Sequence, residues 1–326
     1  MTQFKHDIQE IVNIKSKERF DEIAMDLFVF HMEHNPIYSE FVQKIKRTSP
    51  NNVSEIPFLP ISFFKTHTVF IGDNIQQTFS SSGTTGSITS KHHVGDLNIY
   101  ETSFLTGFQH FYGKPEDFVI LGLLPSYLER EGSSLVYMVD YLIKASNNEL
   151  SGFYLHDQEA LLAQIELAQT TDKKIILLGV SYALMDLADK GVDLSNCIIM
   201  ETGGMKGKRK ELTKSALHDY LKKGLNAETI HSEYGMTELL SQGYSKGNGV
   251  FELPNWMDIH IRQVSDPLTQ VTNSKAGGIN IIDLANIYSC PFIATEDLGK
   301  LIGPKEFEIL GRFDHSDVRG CNLLVE

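Results

Sequence analysis

The stretch Lys174-Ile175-Ile176-Leu177-Leu178-Gly179-Val180-Ser181 decides the fold class. Its uninterrupted apolar run over 175–180 predicts a strand buried on both faces, and Ser181 is placed to cap a helix over 182–188. The same alternation repeats outward from it. Upstream, 161–168, 133–144 and 97–111 carry apolar residues at helical spacing, in the last case Leu97, Tyr100, Phe104, Leu105, Phe108 and Phe111. Phe118 to Leu124 is a second continuous apolar run. Downstream come a strand at Cys197 to Met200, a helix at Glu211 to Lys223 and a strand at Thr229 to His231. Strands alternating with helices of this length imply right-handed crossovers and a largely parallel sheet with helices on its faces. The expected class is α/β.

The two ends of the chain differ from this middle. Residues 1–46 show helical spacing interrupted at Asn35-Pro36, and Ile56 to Lys65 holds two prolines too close together for a helix interior, which predicts a buried extended segment. From Gly249 onward, short strands at 259–262, 278–283 and 307–310 separated by polar or Gly/Pro turns predict antiparallel pairing. The expected organisation is one large domain over 1–326. It divides into a helical lead-in and extended segment (1–72), an α/β part (73–245), a β-rich part (246–314) and a C-terminal arm (315–326).

The 326 residues, 41% hydrophobic and 10% aromatic, supply a substantial core. A net charge of −13 excludes a general nucleic-acid binder, yet leaves room for a small anion held by a few local donors and a metal ion. No stretch reaches the length of a membrane span and the first residues lack the apolar run of a signal peptide, so a cytoplasmic location is expected. Cys197, Cys290 and Cys321 are widely spaced and fit neither a disulfide framework nor a zinc site, which points to a reducing compartment.

Ligands of such sheets lie beyond the C-terminal ends of strands, and three features fall there. The first is Ser80-Ser81-Ser82-Gly83-Thr84-Thr85-Gly86, after a strand expected at 75–79. Its hydroxyls, free backbone N–H groups and glycines suit phosphate oxygens, with Lys91 as a cation just beyond; a flexible polar linker is the other reading. The second is Glu201-Thr202-Gly203-Gly204-Met205-Lys206-Gly207-Lys208, whose paired glycines let a flat ligand lie on bare backbone, or which is a plain strand-to-helix turn. The third is Ser232-Glu233-Tyr234-Gly235-Met236-Thr237-Glu238, which offers a stacking face, a hydroxyl and a carboxylate, unless the aromatic is merely structural. Mg²⁺ bound with phosphates takes only one or two protein carboxylates. His92 and His93 read as exposed loop residues that either steady a phosphate or carboxylate or do neither.

Taken in order, Ser82-Gly83-Thr84-Thr85-Gly86 with Lys91, Tyr234-Gly235-Met236-Thr237-Glu238, Thr295-Glu296-Asp297-Leu298-Gly299 and Gly311-Arg312-Phe313-Asp314 resemble the motifs of adenylate-forming enzymes. That superfamily includes acyl-CoA synthetases, the adenylation domains of peptide synthetases and the luciferases. Four motifs fall in register over about 230 residues. A narrower resemblance is carried by Phe58 to Lys65, Leu124 to Arg130, Ser133 to Met138 and Thr202 to Gly207, which are similar to the acyl-protein synthetase (LuxE-like) branch. The resemblance runs from about Phe58 to Leu324. It implies the large N-terminal domain of the adenylate-forming fold, with mixed and parallel sheets, flanking helices and a β-rich subdomain, and without the small C-terminal domain.

The resemblance also implies roles. Ser81, Ser82, Gly83, Thr84, Thr85, Gly86 and Lys91 would hold the ATP phosphates. Gly203 and Gly204 would border the adenine, Tyr234 with Gly235 beside it would stack on it, and Asp297 would accept from the ribose hydroxyls. Arg312 would approach ribose or phosphate, Thr237 a phosphate, and Glu238 would bind Mg²⁺. The implied reaction is ATP-dependent activation of a carboxylic, and specifically fatty, acid as its acyl-adenylate, followed by transfer to a protein thiol. Most of the superfamily continues past the Gly-Arg-x-Asp hinge into a domain whose lysine enters the site; here the sequence stops at Glu326, so that lysine is expected to be missing. Lys206, Lys208, Arg209 and Lys210 form the nearest replacement cluster, against their reading as a solvated face.

Branch members carry the acyl group on a cysteine near their C-terminus. Cys321 sits in that place, with Arg319 to favour its thiolate, or is an idle thiol; Cys197 reads as core and Cys290 as structural. Tyr127, Phe153, Tyr154, Tyr182 and Met236 line the acyl pocket or are core. The implied partners are an acyl-acceptor protein, such as a reductase or carrier, and further copies of the chain. Two other readings stay open: an acyltransferase that uses a thioester donor without ATP, and a catalytically degenerate nucleotide-binding scaffold subunit.

Overall fold

Side-chain caps punctuate the helical lead-in. In the computed structural model, which describes residues 3–81, 88–125, 132–203, 209, 212–271 and 275–313, it forms α1 (Ile8–Val12), α2 (Lys17–His34) and α3 (Pro36–Lys44). Asn35 ends α2 and starts α3: its side-chain oxygen accepts the Tyr38 N–H at 3.1 Å, and Pro36 occupies the first helical position where its missing N–H costs nothing. The buried His31 and Asn35 side chains also reach the Ile287 and Ser289 carbonyls, at 3.0 and 2.7 Å, which fastens the lead-in to the other end of the chain. The extended segment becomes β1 (Leu59–Pro60) and runs into the short α4 (Phe63–Thr66).

A hairpin follows, β2 (Gln77–Ser80) paired antiparallel with β3 (Lys91–Val94). The middle of the chain is α5 (Leu97–Tyr112), β4 (Phe118–Leu123), α6 (Ser134–Ala145), β5 (Gly152–Phe153), α7 (Gln158–Ala168), β6 (Lys174–Val180), α8 (Ser181–Ala188), β7 (Cys197–Thr202), α9 (Lys214–Leu225) and β8 (Ile230–Tyr234). The last part is all strand: β9 (Gly243–Ser245), β10 (Val250–Glu252), β11 (Met257–Arg262), β12 (Gly277–Asp283), β13 (Phe292–Leu301) and β14 (Glu306–Arg312).

Among the described residues one large sheet runs β11-β12-β13-β14-β10-β9-β8-β7-β6-β4-β5, with β1 parallel to β13. The strands β5, β4, β6, β7 and β8 are mutually parallel; from β9 to β14 the pairing is antiparallel. Every residue of β4, and every residue of β6 after Lys174, is buried, as a parallel strand with both faces covered requires. The architecture is therefore the expected mixed α/β fold with flanking helices.

Several boundaries move, each for a local reason. β7 runs on through Thr202 and β8 through Tyr234, because these strands pair in register at Glu201 with Ser232 and their polar side chains find buried partners. Ser181 does not cap α8; it is the first helical residue, and its hydroxyl lies 2.9 Å from the Gly203 carbonyl and 3.2 Å from Glu201 Oε2. The helix expected from Glu211 starts at Lys214, where Thr213 caps it. Lys91, His92 and His93 are strand rather than loop, and His92 is fully buried.

Candidate active site

The parallel strands deliver their C-terminal ends side by side, and Gly203 and Tyr234 stand at two of those ends. Gly203 follows β7 with a φ of 68°, a left-handed conformation that favours glycine, and the Ser181 hydroxyl sits on its carbonyl. Gly204 lies outside the described residues.

Tyr234 ends β8. Its ring packs edge-on against Phe251 and Phe307, with centroids 5.9 and 5.6 Å away, and its hydroxyl donates to Asp297 Oδ2 at 2.8 Å. Only 7% of the residue is exposed, so it is less open than a displayed stacking platform. Asp297 stands on β13 directly across from Arg312 on β14, and the guanidinium Nε lies 3.2 Å from its Oδ1. Burial raises the Asp297 carboxyl above its ordinary range, against the opposing pull of Arg312 and Tyr234. Arg312 itself is 70% exposed, so much of the guanidinium remains open to solution. The chain leaves β14 through Phe313, whose N–H donates to the Glu296 carbonyl at 2.8 Å and whose ring lies 5.3 Å from the buried Arg262 guanidinium.

The turn after Gly235 carries Thr237, half-buried, and Glu238, buried. Burial raises the Glu238 carboxyl, while a hydrogen bond from the Ser90 hydroxyl, one to its own backbone, and the more distant charges of Arg312 and Lys65 pull the other way. Ser90 extends the hairpin ladder by one pair: its N–H donates to Ser81 Oγ at 2.9 Å, and the Ser81 N–H donates to the Ser90 carbonyl at 3.1 Å. Lys91 follows Ser90, exposed, across the ladder from Ser80. Ser82, Gly83, Thr84, Thr85 and Gly86 lie outside the described residues; of the groups expected to hold phosphates on this hairpin, Ser81 and Lys91 are described.

A buried polar layer backs these groups. Glu201, on β7, is fully buried and ion-paired with Lys214; His218 Nε2 lies 3.5 Å from it. Burial alone would raise this carboxyl, but His218, Lys214 and Ser232 outweigh it and hold it down to about 2. Glu233, on the opposite face of β8, accepts from the Thr202 hydroxyl at 2.5 Å, and burial pushes its carboxyl up to about 7. The negative charge of Glu201 adds to the cost of ionising Glu233, and Lys214 is ion-paired with Glu201. Gly235 exists because a Cβ there would overlap Glu233 Oε1 and come within 3.3 Å of Gln242 Cγ.

The remaining expectations divide. Arg209 is committed to a surface cluster, with its Nε 2.9 Å from Asp186 and Nη2 2.6 Å from Asp189, while Lys206, Lys208 and Lys210 lie outside the described residues, as do Cys321 and Tyr127. Cys290 is fully buried and Cys197 partly so; burial pushes their thiols up to about 12 and about 11. Sequence reasoning overlooked Ser90, Lys65, Asn286, and Glu201 and Glu233 as a buried pair. The alternation Lys91-His92-His93-Val94 is a β signal that identifies His92 as inward-facing; for Asn286 the sequence carries none. No group of three or more His, Cys, Asp or Glu side chains suited to a metal occurs among the described residues, and no helix among them is long and apolar enough to cross a membrane.

The profile of the family described as "Acyl-protein synthetase, LuxE" matches residues 4–326. The fold is similar to that of ATP-bound MatB from Rhodopseudomonas palustris (TM-score 0.55, 15% identity, covering 73% of this chain and 48% of MatB). It is also similar to 2-hydroxyisobutyryl-CoA ligase in an open conformation with 2-HIB-AMP and CoA (0.65, 10% identity, 95% and 81%). A third similar structure is a long-chain-fatty-acid-CoA ligase from Archaeoglobus fulgidus (0.52, 16% identity, 73% and 51%). The chain spans about half the length of the MatB structure it matches. None of the curated protein sequences compared matches it.

Proposed function

The chain belongs to the acyl-protein synthetase (LuxE) family, and on that premise we propose that it is an ATP-dependent ligase that activates a fatty acid as its acyl-adenylate and passes the acyl group to a protein thiol. The observation that carries the reading is a convergence. Tyr234, Asp297 and Arg312 form one hydrogen-bonded group at the end of β8, while the Thr237–Glu238 turn is tied through Ser90 to the hairpin bearing Lys91. A nucleotide needs those two halves: a place for base and ribose, and a place for phosphates.

In this reading an oxygen of the acid's carboxylate attacks the α-phosphorus of ATP. The new O–P bond forms as the bond to the bridging oxygen breaks, and pyrophosphate leaves. Gly203 and Gly204 would border the adenine, with the uncovered part of the Tyr234 ring beside it. Asp297 keeps lone pairs for the ribose hydroxyls after serving Tyr234 and Arg312, and Arg312 would reach ribose or phosphate. Ser81 to Gly86, Lys91 and Thr237 would hold the phosphates. Glu238 fits Mg²⁺: it is a hard oxygen donor, buried, and bonded to a neutral hydroxyl rather than to a cation. Bound there with ATP, the ion would supply charge neutralisation; the chain's own part is positioning and fixed donors.

In the second step a thiolate attacks the acyl carbonyl, a C–S bond forms, and AMP departs with the oxygen. Cys197 and Cys290, with thiols raised to about 11 and about 12, yield almost no thiolate near neutrality, which favours Cys321, the cysteine the family resemblance points to, as the acceptor within the chain. An acyl substrate is supported by the family's description, and a fatty one by the long-chain-fatty-acid-CoA ligase among the similar folds. A reducing cytoplasm suits a free thiol acceptor, and a partner protein would take the acyl group onward.

Intact-mass spectrometry after incubation with ATP, Mg²⁺ and fatty acids of graded length tests this. The expected result is an acyl adduct that needs ATP and is lost in Cys321→Ser. An adduct that survives that substitution removes Cys321 from the mechanism, and an adduct formed from an acyl thioester without ATP replaces the ligase reading with an acyltransferase.

A further inference from the structure

His92 and Asn286 are both fully buried, yet each is polar and neither belongs to the roles assigned above. His92 Nδ1 lies 2.7 Å from the Thr237 carbonyl and its Nε2 lies 3.1 Å from Asn286 Oδ1. Asn286 donates its amide hydrogens to the Glu238 carbonyl at 2.8 Å and the Cys290 carbonyl at 2.9 Å. That use of both hydrogens fixes the amide's orientation, so its oxygen is what faces the imidazole. Burial holds the ring neutral, lowering it to about 4. A neutral imidazole has one N–H, and the shorter contact, to Thr237, is where the proton is assigned, so the 3.1 Å approach of Nε2 to Asn286 Oδ1 is a contact and not a hydrogen bond. The Phe64 ring, edge-on with its centroid 5.8 Å away, packs against the imidazole.

Two successive carbonyls, those of Thr237 and Glu238, are therefore each held by a buried side-chain donor. The same imidazole sits beside Lys91 in sequence, one step along β3, with Lys91 outward and His92 inward. We propose that His92 and Asn286 are positioning residues for the nucleotide site: by holding these two carbonyls they aim the Thr237 hydroxyl and the Glu238 carboxylate, and lock that turn to the strand that carries Lys91. The inference rests on the reading of Glu238 as the Mg·ATP ligand.

The test measures Mg·ATP affinity by titration calorimetry, with kcat and KM for ATP from pyrophosphate exchange, on the full chain. The variants are His92→Gln, His92→Asn, Asn286→Asp, Glu238→Gln and the double variant His92→Gln/Glu238→Gln. An asparagine can place an N–H near the Nδ1 position, whereas a glutamine places its amide near Nε2. Misaiming ligands by a fraction of an ångström predicts that His92→Gln and Asn286→Asp weaken Mg·ATP binding about tenfold, with KM rising more than kcat falls. His92→Asn stays within about threefold of the parent. His92→Gln adds little further loss once Glu238 is already glutamine. Should His92→Gln not fold, Asn286→Asp carries the same comparison. Unchanged affinity in His92→Gln and Asn286→Asp, with Glu238→Gln weakened, overturns the inference and leaves the Glu238 reading standing. Unchanged affinity in Glu238→Gln overturns both. Equal losses in His92→Asn and His92→Gln that track a falling melting temperature mark a purely structural role and also overturn it.

Discussion

Replacing Glu233 by glutamine probes the buried layer under the site. Burial, opposed by the Thr202 hydroxyl and reinforced by Glu201, raises this carboxyl from an ordinary 4.5 to about 7. The folded chain therefore binds this proton more tightly than the unfolded chain. The associated stability is complete below pH 4.5 and is lost as pH rises through 7. At about 1.4 kcal/mol per pH unit, the loss between pH 5 and pH 8 amounts to roughly 2–3 kcal/mol. Glutamine stays neutral throughout and keeps an oxygen for the Thr202 hydroxyl, so it escapes that loss. Glu201, held down to about 2, contributes the opposite trend at acid pH, but it does so in both proteins and cancels in the difference. Urea unfolding followed through Trp256, the single tryptophan and a buried one, gives the two stabilities at each pH. The variant should gain roughly 2–3 kcal/mol on the parent from pH 5 to pH 8. Profiles that stay parallel within about 0.5 kcal/mol would refute the claim that Glu233 is a neutral buried acid.

Two further substitutions test neighbouring contacts. Gly235→Ala forces a Cβ onto Glu233 Oε1 and should cost about 1–3 kcal/mol in urea unfolding, most of it recovered when Glu233 is also shortened to alanine; an additive double variant would place the strain elsewhere. Tyr234→Phe removes the 2.8 Å donor to Asp297 and should cost about 1–2 kcal/mol of stability together with a severalfold loss of ATP affinity by calorimetry. A variant that binds ATP as the parent does would detach Asp297's orientation from nucleotide binding.

Much of the fold was legible because its signals are local. The apolar runs at 118–124 and 175–180 and the helical spacing between them led directly to β4, β6 and the flanking helices. The candidate site was legible as a set of motifs at strand ends, and Tyr234, Asp297 and Arg312 do meet. What escaped was long-range. β13, which carries Asp297, opens with Phe292-Ile293 but continues as Thr295-Glu296-Asp297, and its strand state comes from pairing with β12 and β14 rather than from its own pattern. Glu201 and Glu233 looked like loop residues because glutamates are rarely buried; the lysine and histidine that lie against one and the threonine that bonds the other are 13, 17 and 31 residues away in sequence. His92 was misread for the same reason: its partners, Thr237 and Asn286, are 145 and 194 residues distant.

Acyl-adenylate formation by this chain is measured by isotope exchange, which isolates that step. With Mg²⁺, ATP and a panel of fatty acids, labelled pyrophosphate should enter ATP only when an acid is present, because adenylation reverses on the enzyme. The exchange should fall by at least tenfold in Glu238→Gln, whose weakened hold on Mg·ATP slows both directions. Acid-dependent exchange would support adenylation by this chain. Its absence across the whole panel, in protein that still binds Mg·ATP by calorimetry, would contradict it and favour a nucleotide-binding subunit that does not catalyse.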